Sequence, residues 1–383
     1  MRIGTITVQN GNNYGASLQA FALVKYLRKN GWDAYLIDYR NKKIEDRLAE
    51  QSFITSWRGK NQIKKNIRII LSNAIWKTDR YVKEKNKAFS EFHKSIFDQS
   101  GGTLYDVSEL KTLNSLYDAF ICGSDQIWNK DITGLDDAFF LSFANPDKKR
   151  IAYAPSLGKE SGAIVEEDYD IYRHKLRNID FLSIREPNNK KFIETVTHRE
   201  CCVVLDPVLL LDKQEWEEEI QNVSPIIQKR YALYYPVINQ PELEKYAIQK
   251  AREKGLKLIN PRLVPSYAKM KGYTAISSKP VGPIEFVKLI KESECIFTNS
   301  FHATVFSSIF NKELYVIKLK GKNKNRNNRI IEYLKMIGIR QSLIDTSDLI
   351  HIKDFESTMQ WENVTERKKE SVEYLKKSLD YNS

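Results

Sequence analysis

The chain has no apolar run approaching the ~18 residues of a membrane-spanning helix, and even the stretch from Cys201 to Leu211 is interrupted by Asp206. A spanning segment is therefore not expected. Nor does the start, Met1-Arg2-Ile3-Gly4-Thr5, carry the basic region, apolar core and small-residue cleavage site of a secretory signal. Cysteine is scarce: of four, Cys201 and Cys202 are adjacent while Cys122 and Cys295 sit in strand-like segments, which is no disulfide framework and fits a reducing cytoplasm. The five histidines (His93, His174, His198, His302, His351) form no HExxH pattern, CxxC is missing, and no zinc or other tightly held metal is expected. Zinc-finger spacing, RNA-recognition signatures and heptad-linked basic regions are also missing, so nucleic acid has no support as a partner beyond charge.

That charge is considerable. A formal +12 favours anionic partners, and phosphorylated metabolites and acidic lipid surfaces both qualify. The length of 383 residues exceeds one ordinary core; at ~150 residues per domain it predicts two. With 42% hydrophobic and 29% charged residues the composition is that of a folded globular protein.

The order of patterns gives the fold class. Ile3–Val8 reads as a strand, Gln9–Gly15 as a polar loop, Ser17–Leu27 as a helix closed by Gly31, and Ala34–Tyr39 as the next strand. This is a βαβ unit, whose short crossover demands parallel pairing. Further strands are expected at Ala119–Cys122, Arg150–Tyr153, Phe181–Ile184 and Cys202–Leu205, alternating with helices. After Asp206-Pro207 the pattern restarts, with strands at Tyr231–Tyr235, Leu256–Ile259 and Cys295–Thr298, and helices at Lys213–Ile220, Pro241–Lys254 and Phe301–Phe310. Lys318–Arg329 reads as a Lys/Asn-rich loop. The expected architecture is α/β, with two Rossmann-like domains: residues 1–206, carrying a basic helical insertion at about 61–97, and residues 207–360. A last segment, 361–383, reads as a helix able to pack back on the first domain. The insertion, with Trp57 and Trp76 among its lysines and an apolar stripe through Phe89 and Phe92, is either a helical hairpin or a peripheral surface for anionic membrane.

In open parallel sheets ligands bind beyond the carboxyl ends of the strands. Four segments there carry chemistry. Gln9-Asn10-Gly11-Asn12-Asn13-Tyr14-Gly15 offers amides and a helix N-terminus to a sugar or phosphate, though an ordinary turn needs the same residues. Gly123-Ser124-Asp125-Gln126-Ile127-Trp128-Asn129 offers a carboxylate, amides and an indole for sugar hydroxyls, or a helix cap with a core tryptophan. In Ser183-Ile184-Arg185-Glu186 an arginine can clamp carboxylate or phosphate with two parallel hydrogen bonds, or pair with Glu186. Thr298-Asn299-Ser300-Phe301-His302 puts a histidine in the first turn of a helix, beside the positive end of its dipole, where an anion or a core carbonyl would satisfy it.

The last three of these segments, with Tyr153-Ala154-Pro155-Ser156-Leu157-Gly158, Leu205-Asp206-Pro207-Val208 and Asn328-Arg329, occur in the order seen in the polysaccharide pyruvyl transferase family, which the chain resembles from Met1 to about Asp345. The resemblance implies a pair of domains similar to GT-B glycosyltransferases and transfer of a pyruvyl group from phosphoenolpyruvate to a sugar as a ketal, in surface-polysaccharide assembly. Under it, His302 and Asp125 are the catalytic candidates. Arg185, Asn299, Ser300, Phe301 and Arg329 would bind the anionic donor, while Asn12, Asn13, Tyr14, Gln126 and Trp128 would bind a sugar or lipid-linked saccharide acceptor. The scheme needs no cofactor beyond phosphoenolpyruvate as donor substrate, and no metal. The family's well-studied branch looks like Ser-Arg-Leu-His where this chain has Asn299-Ser300-Phe301-His302. That departure keeps open a glycosyltransferase of the same architecture using a nucleotide sugar, and a non-catalytic sugar- or phosphate-binding protein.

Overall fold

The computed structural model describes residues 1–9, 12–41, 44, 80–98, 100–158, 161–263, 268–269, 271–274, 280–345 and 347–380. Two sheets organise them. The N-terminal sheet is built from β1 (Arg2–Ile6), β2 (Asp33–Leu36), β3 (Ala119–Cys122) and β4 (Lys149–Ala152), all parallel and ordered β2-β1-β3-β4. A bridge from Ile151 to Phe181 and the parallel pair Ser183–Ile184 with Cys202–Val203 continue it beyond β4. The C-terminal sheet contains β5 (Tyr231–Tyr235), β6 (Lys257–Ile259), β7 (Cys295–Thr298), β8 (Glu313–Ile317) and β9 (Leu349–Ile352), ordered β6-β5-β7-β8-β9, with only β9 antiparallel. Strands covered on both faces need apolar side chains throughout, and every residue of β3, β5 and β7 is buried.

Each sheet reverses strand order once, between β1 and β3 and between β5 and β7. These switch points are where crossover helices diverge to opposite faces and leave a crevice. From the first crevice runs α1 (Tyr14–Lys29), capped by Asn13, whose side chain accepts from the amides of Gly15 and Ala16; Arg28 and Lys29 complement its far end. The helix following β7 is capped by Ser300, which accepts from Ala303 N.

One apolar cluster joins the halves, running from Ile3 and Tyr14 through Trp216 and Phe286 to Leu375. Tyr14 stacks on Phe286 with ring centroids 4.3 Å apart, and its hydroxyl donates to Val281 O at 3.0 Å. The helix Trp361–Asp380 lies against the N-terminal sheet: Tyr374 Oη donates to Ala152 O at 2.8 Å, and Ser371 Oγ accepts from Leu205 N at 2.9 Å.

Two expectations change. Lys318–Arg329 is no plain loop, because Gly321–Asn327 winds into a 3-10 helix and the Asn327 side chain clips it to the Leu319 backbone, accepting from its N–H and donating to its carbonyl, both at 2.9 Å. Asn328–Met336 then follows as a helix carrying Arg329 in its first turn. Of the basic insertion, 61–79 lies outside the described residues, as does Trp57. The remainder, the helix Arg80–Lys94, turns Phe89 onto Tyr14 and Phe92 onto Phe21, both at 5.1 Å, so its apolar stripe is used within the protein. Among the described residues no helix is long and apolar enough to cross a membrane.

Candidate functional site

The two crevices face each other and enclose a cleft of about 280 Å³. Asn12, Asn13, Ala16, Asp125 and Gln126 line it from the N-terminal side, and Tyr235, Val237 and Arg262 from the C-terminal side. Asp125 owes its place to the backbone. Gly123 has φ +128°, and a Cβ there would lie 2.0 Å from Tyr153 O, so only glycine lets the chain leave β3 this closely against its neighbour. Asp125 itself has φ +63°, a left-handed conformation tolerated by aspartate better than by bulkier residues. Its carbonyl accepts from Ser156 N at 2.8 Å, holding the turn to the strand alongside.

Behind Asp125 lies a buried group of charges. Arg185 Nη1 donates to Asp206 Oδ2 at 2.8 Å and Nε to Glu186 Oε1 at 3.0 Å, while its guanidinium sits over the Phe301 ring at 4.4 Å. Arg185 Nη2 and Arg329 Nη1 each stand 3.9 Å from Asp125 Oδ1. His302 Nε2 lies 3.4 Å from Asp206 Oδ2. These side chains come from both halves. With Phe301, Tyr333 and Met336 several of them line a second cavity of about 20 Å³, room for one water.

The group is short of partners. Buried Asp125 Oδ1, Arg185 Nη2, Glu186 Oε2, Arg329 Nε and His302 Nε2 all lack a hydrogen bond. Unpaired buried polar atoms cost 1–3 kcal/mol each, roughly; His302 Nε2 has the Asp206 carboxylate nearby, and the other four mark a site built for something that completes them. The electrostatics separate the two arginines. Burial works against the Arg185 cation, but Glu186, Asp206 and Asp125 outweigh it and raise its pKa. For Arg329, burial and then the charge of Arg185 lower the pKa, and the attraction of Asp125 and Glu186 does not compensate. Burial would raise the Asp206 pKa, yet His302 and Arg185 hold it well below the usual carboxylate range.

The expected site residues divide accordingly. Asp125, Arg185, Phe301, His302 and Arg329 converge, and Asn12, Asn13 and Gln126 line the open cleft. Trp128 and Tyr14 do not line the cleft. The Trp128 indole is fully buried, stacked on Phe140 and bonded to Phe139 O at 3.0 Å, because the chain turns it inward after Asp125. Tyr14 is fully buried between the halves. Asn299 is a loop clamp, its side chain accepting from Val237 N at 2.7 Å and donating to Ile238 O at 2.7 Å, and Ser300 is the helix cap.

Sequence reasoning gave no site role to Asp206, quoted only within the Leu205–Val208 segment, or to Arg262. Asp206 had a signal, an acidic residue directly after a strand, but its Asp-Pro pair reads as an ordinary turn. Arg262 had none, and reaches the cleft because Nη1 donates to Pro236 O at 2.6 Å. Among the described residues no group of three or more His, Cys, Asp and Glu side chains is placed to hold a metal ion.

Known structures are similar in fold. A candidate UDP-N-acetylglucosamine 2-epimerase from Listeria monocytogenes superposes with a TM-score of 0.50 at 10% identity, over 100% of this chain and 97% of that one. The S. aureus MnaA–UDP structure gives 0.48 at 13% identity, over 99% and 97%, and Acinetobacter baumannii MurG gives 0.38 at 10%, over 97% and 94%. The fold is GT-B-like. No curated protein is similar enough to count as a match. The model of the family described as polysaccharide pyruvyl transferase matches residues 13–320, a span that contains Asp125, Arg185, Asp206 and His302, and the chain belongs to that family.

Proposed function

We propose that this protein transfers the pyruvyl group of phosphoenolpyruvate to two hydroxyls of a saccharide, forming a ketal and releasing inorganic phosphate. The observation that carries the reading is the buried arginine pair, above all Arg329, whose cation is disfavoured by burial and by Arg185 and whose Nε has no partner. A carboxylate or phosphate beside it would relieve both penalties. Arg329 also lines the same small cavity as Phe301, the neighbour of His302 in the Asn299-Ser300-Phe301-His302 segment, which supplies no arginine of its own.

The chemistry asks for a proton donor, a base and a cationic cradle. Protonation of the enol methylene makes the adjacent carbon electrophilic; one hydroxyl adds there and loses its proton, and the second displaces phosphate. The two hydroxyl protons balance the one gained by the methylene and the one leaving with phosphate. His302 is the general acid or phosphate partner and Asp125, bordering both the cleft and the arginines, is the base toward the acceptor hydroxyl. Asn12, Asn13 and Gln126 offer amides to the saccharide.

Melting curves with phosphoenolpyruvate and with a panel of nucleotide sugars test the donor, since a ligand at 100 times its Kd stabilises by about 2.7 kcal/mol. Phosphoenolpyruvate should raise Tm. Stabilisation only by a nucleotide sugar would favour the glycosyltransferase reading, and binding without phosphate release in the presence of saccharide acceptors the non-catalytic one. In active protein, His302→Asn should lower turnover at least ~100-fold with the fold intact.

A further inference from the structure

The carboxylate of Asp206 is the most enclosed charge in the site, its side chain fully buried. It sits in the N-terminal half, just after the short strand Cys202–Val203, and caps the 3-10 turn Pro207–Leu210 by accepting from Val208 N at 3.1 Å through Oδ1. That bond fixes the rotamer. Oδ2 is left to face Arg185 Nη1 at 2.8 Å, Ser124 Oγ at 3.4 Å and His302 Nε2 at 3.4 Å.

We propose that Asp206 is the positioning residue for His302, setting the Nε2–H tautomer of the imidazole and leaving Nδ1 as the nitrogen that exchanges a proton. An ionised carboxylate is acceptor-only, and Arg185 keeps this one ionised. A bare Nε2 lone pair against it would be repelled, whereas Nε2–H is drawn toward it, closing a 3.4 Å separation that is long for a hydrogen bond. A neutral imidazole carries one N–H, so fixing it on Nε2 frees Nδ1. That atom lies over the first turn of α1, where a Cβ on Gly15 would come within 2.2 Å of it. The tautomer is thus decided by the half of the molecule that does not carry the histidine. Carboxylates orient metal-bound and catalytic histidines by the same logic.

The proposal rests on reading His302 as the proton-handling group, but its test does not need turnover. The full chain, labelled with ¹⁵N in its histidine rings and with the His302 signals assigned by difference against His302→Asn, reports the tautomer of the neutral ring directly. Wild type should show protonated Nε2 and bare Nδ1. In Asp206→Asn, whose carboxamide can present either oxygen or NH₂, that preference should be lost while Tm shows a folded protein. Protonated Nδ1 in wild type overturns the proposal, and this measurement stands even where the variant does not fold. An unchanged tautomer in folded Asp206→Asn overturns it too. Loss of the tautomer preference in a protein that releases no phosphate from phosphoenolpyruvate supports the role of Asp206 and counts against the donor reading instead.

Discussion

Gly15 and His302 touch across the two halves of the molecule: the imidazole of one occupies the space where a side chain on the other would begin, with Nδ1 2.2 Å from the position of a Cβ. Glycine weakens a helix by about 1 kcal/mol relative to alanine, and the need for it here is room rather than backbone freedom.

Gly15→Ala should therefore lower stability by about 1–3 kcal/mol through overpacking while the protein still folds, and should drive His302 away from Asp206. Phosphoenolpyruvate-dependent stabilisation and phosphate release should fall at least ~10-fold, as a 1 Å misplacement of a reacting group can cost ~100-fold. Normal activity in a folded Gly15→Ala protein would mean that the imidazole position does not matter.

Arg329→Met tests the arginine pair. Removing a buried cation that lacks a close partner should not destabilise the protein, and a small gain in Tm is expected. The thermal shift produced by phosphoenolpyruvate should disappear. A strong drop in Tm without ligand would identify Arg329 as a structural ion-pair residue.

Trp128→Ala separates core from acceptor binding. The indole is fully buried and bonded to Phe139 O. Loss of about 3–5 kcal/mol in chemical denaturation is expected, as for large aromatics removed from a core. Saccharide affinity of the protein that remains folded should be unchanged; a selective loss of affinity would return Trp128 to the cleft.

His93, buried against Ser17 Oγ at 2.9 Å, predicts an acid-sensitive stability. Burial lowers its pKa to about 4 from 6.5, against the opposing pull of Asp38. The unfolded chain then binds a proton that the folded one refuses, so stability should fall as pH drops from about 6.5 to about 4, by roughly 3 kcal/mol. His93→Gln, which keeps a polar partner for Ser17, should flatten that slope in denaturation series across the window. Asp206 acts lower on the scale: its depressed pKa gives a contribution that is whole above the unfolded value of 3.8 and lost as pH falls through the folded one.

Much of this was legible in the chain. Alternation of apolar strands with amphipathic helices determines a doubly wound α/β fold because parallel neighbours require helical crossovers, and the strands Ala119–Cys122, Tyr231–Tyr235 and Cys295–Thr298 lie where their apolar runs are. Polar residues directly after those strands marked Asp125 and His302, since the carboxyl ends of parallel strands are where crevices open. Tertiary structure alone decided what those residues meet. A strand-to-helix turn does not reveal which way its side chains point, so Trp128 and Tyr14, polar-tipped aromatics beside the cleft in sequence, turned inward to fill the core. Arg185, Asp206, His302 and Arg329 are spread over 144 positions of sequence, yet Asp206 meets both Arg185 and His302, and Asp125 stands 3.9 Å from both Arg185 and Arg329. Local pattern carries no information about such distances, and the pairing of Asp206 with His302 belongs to the fold.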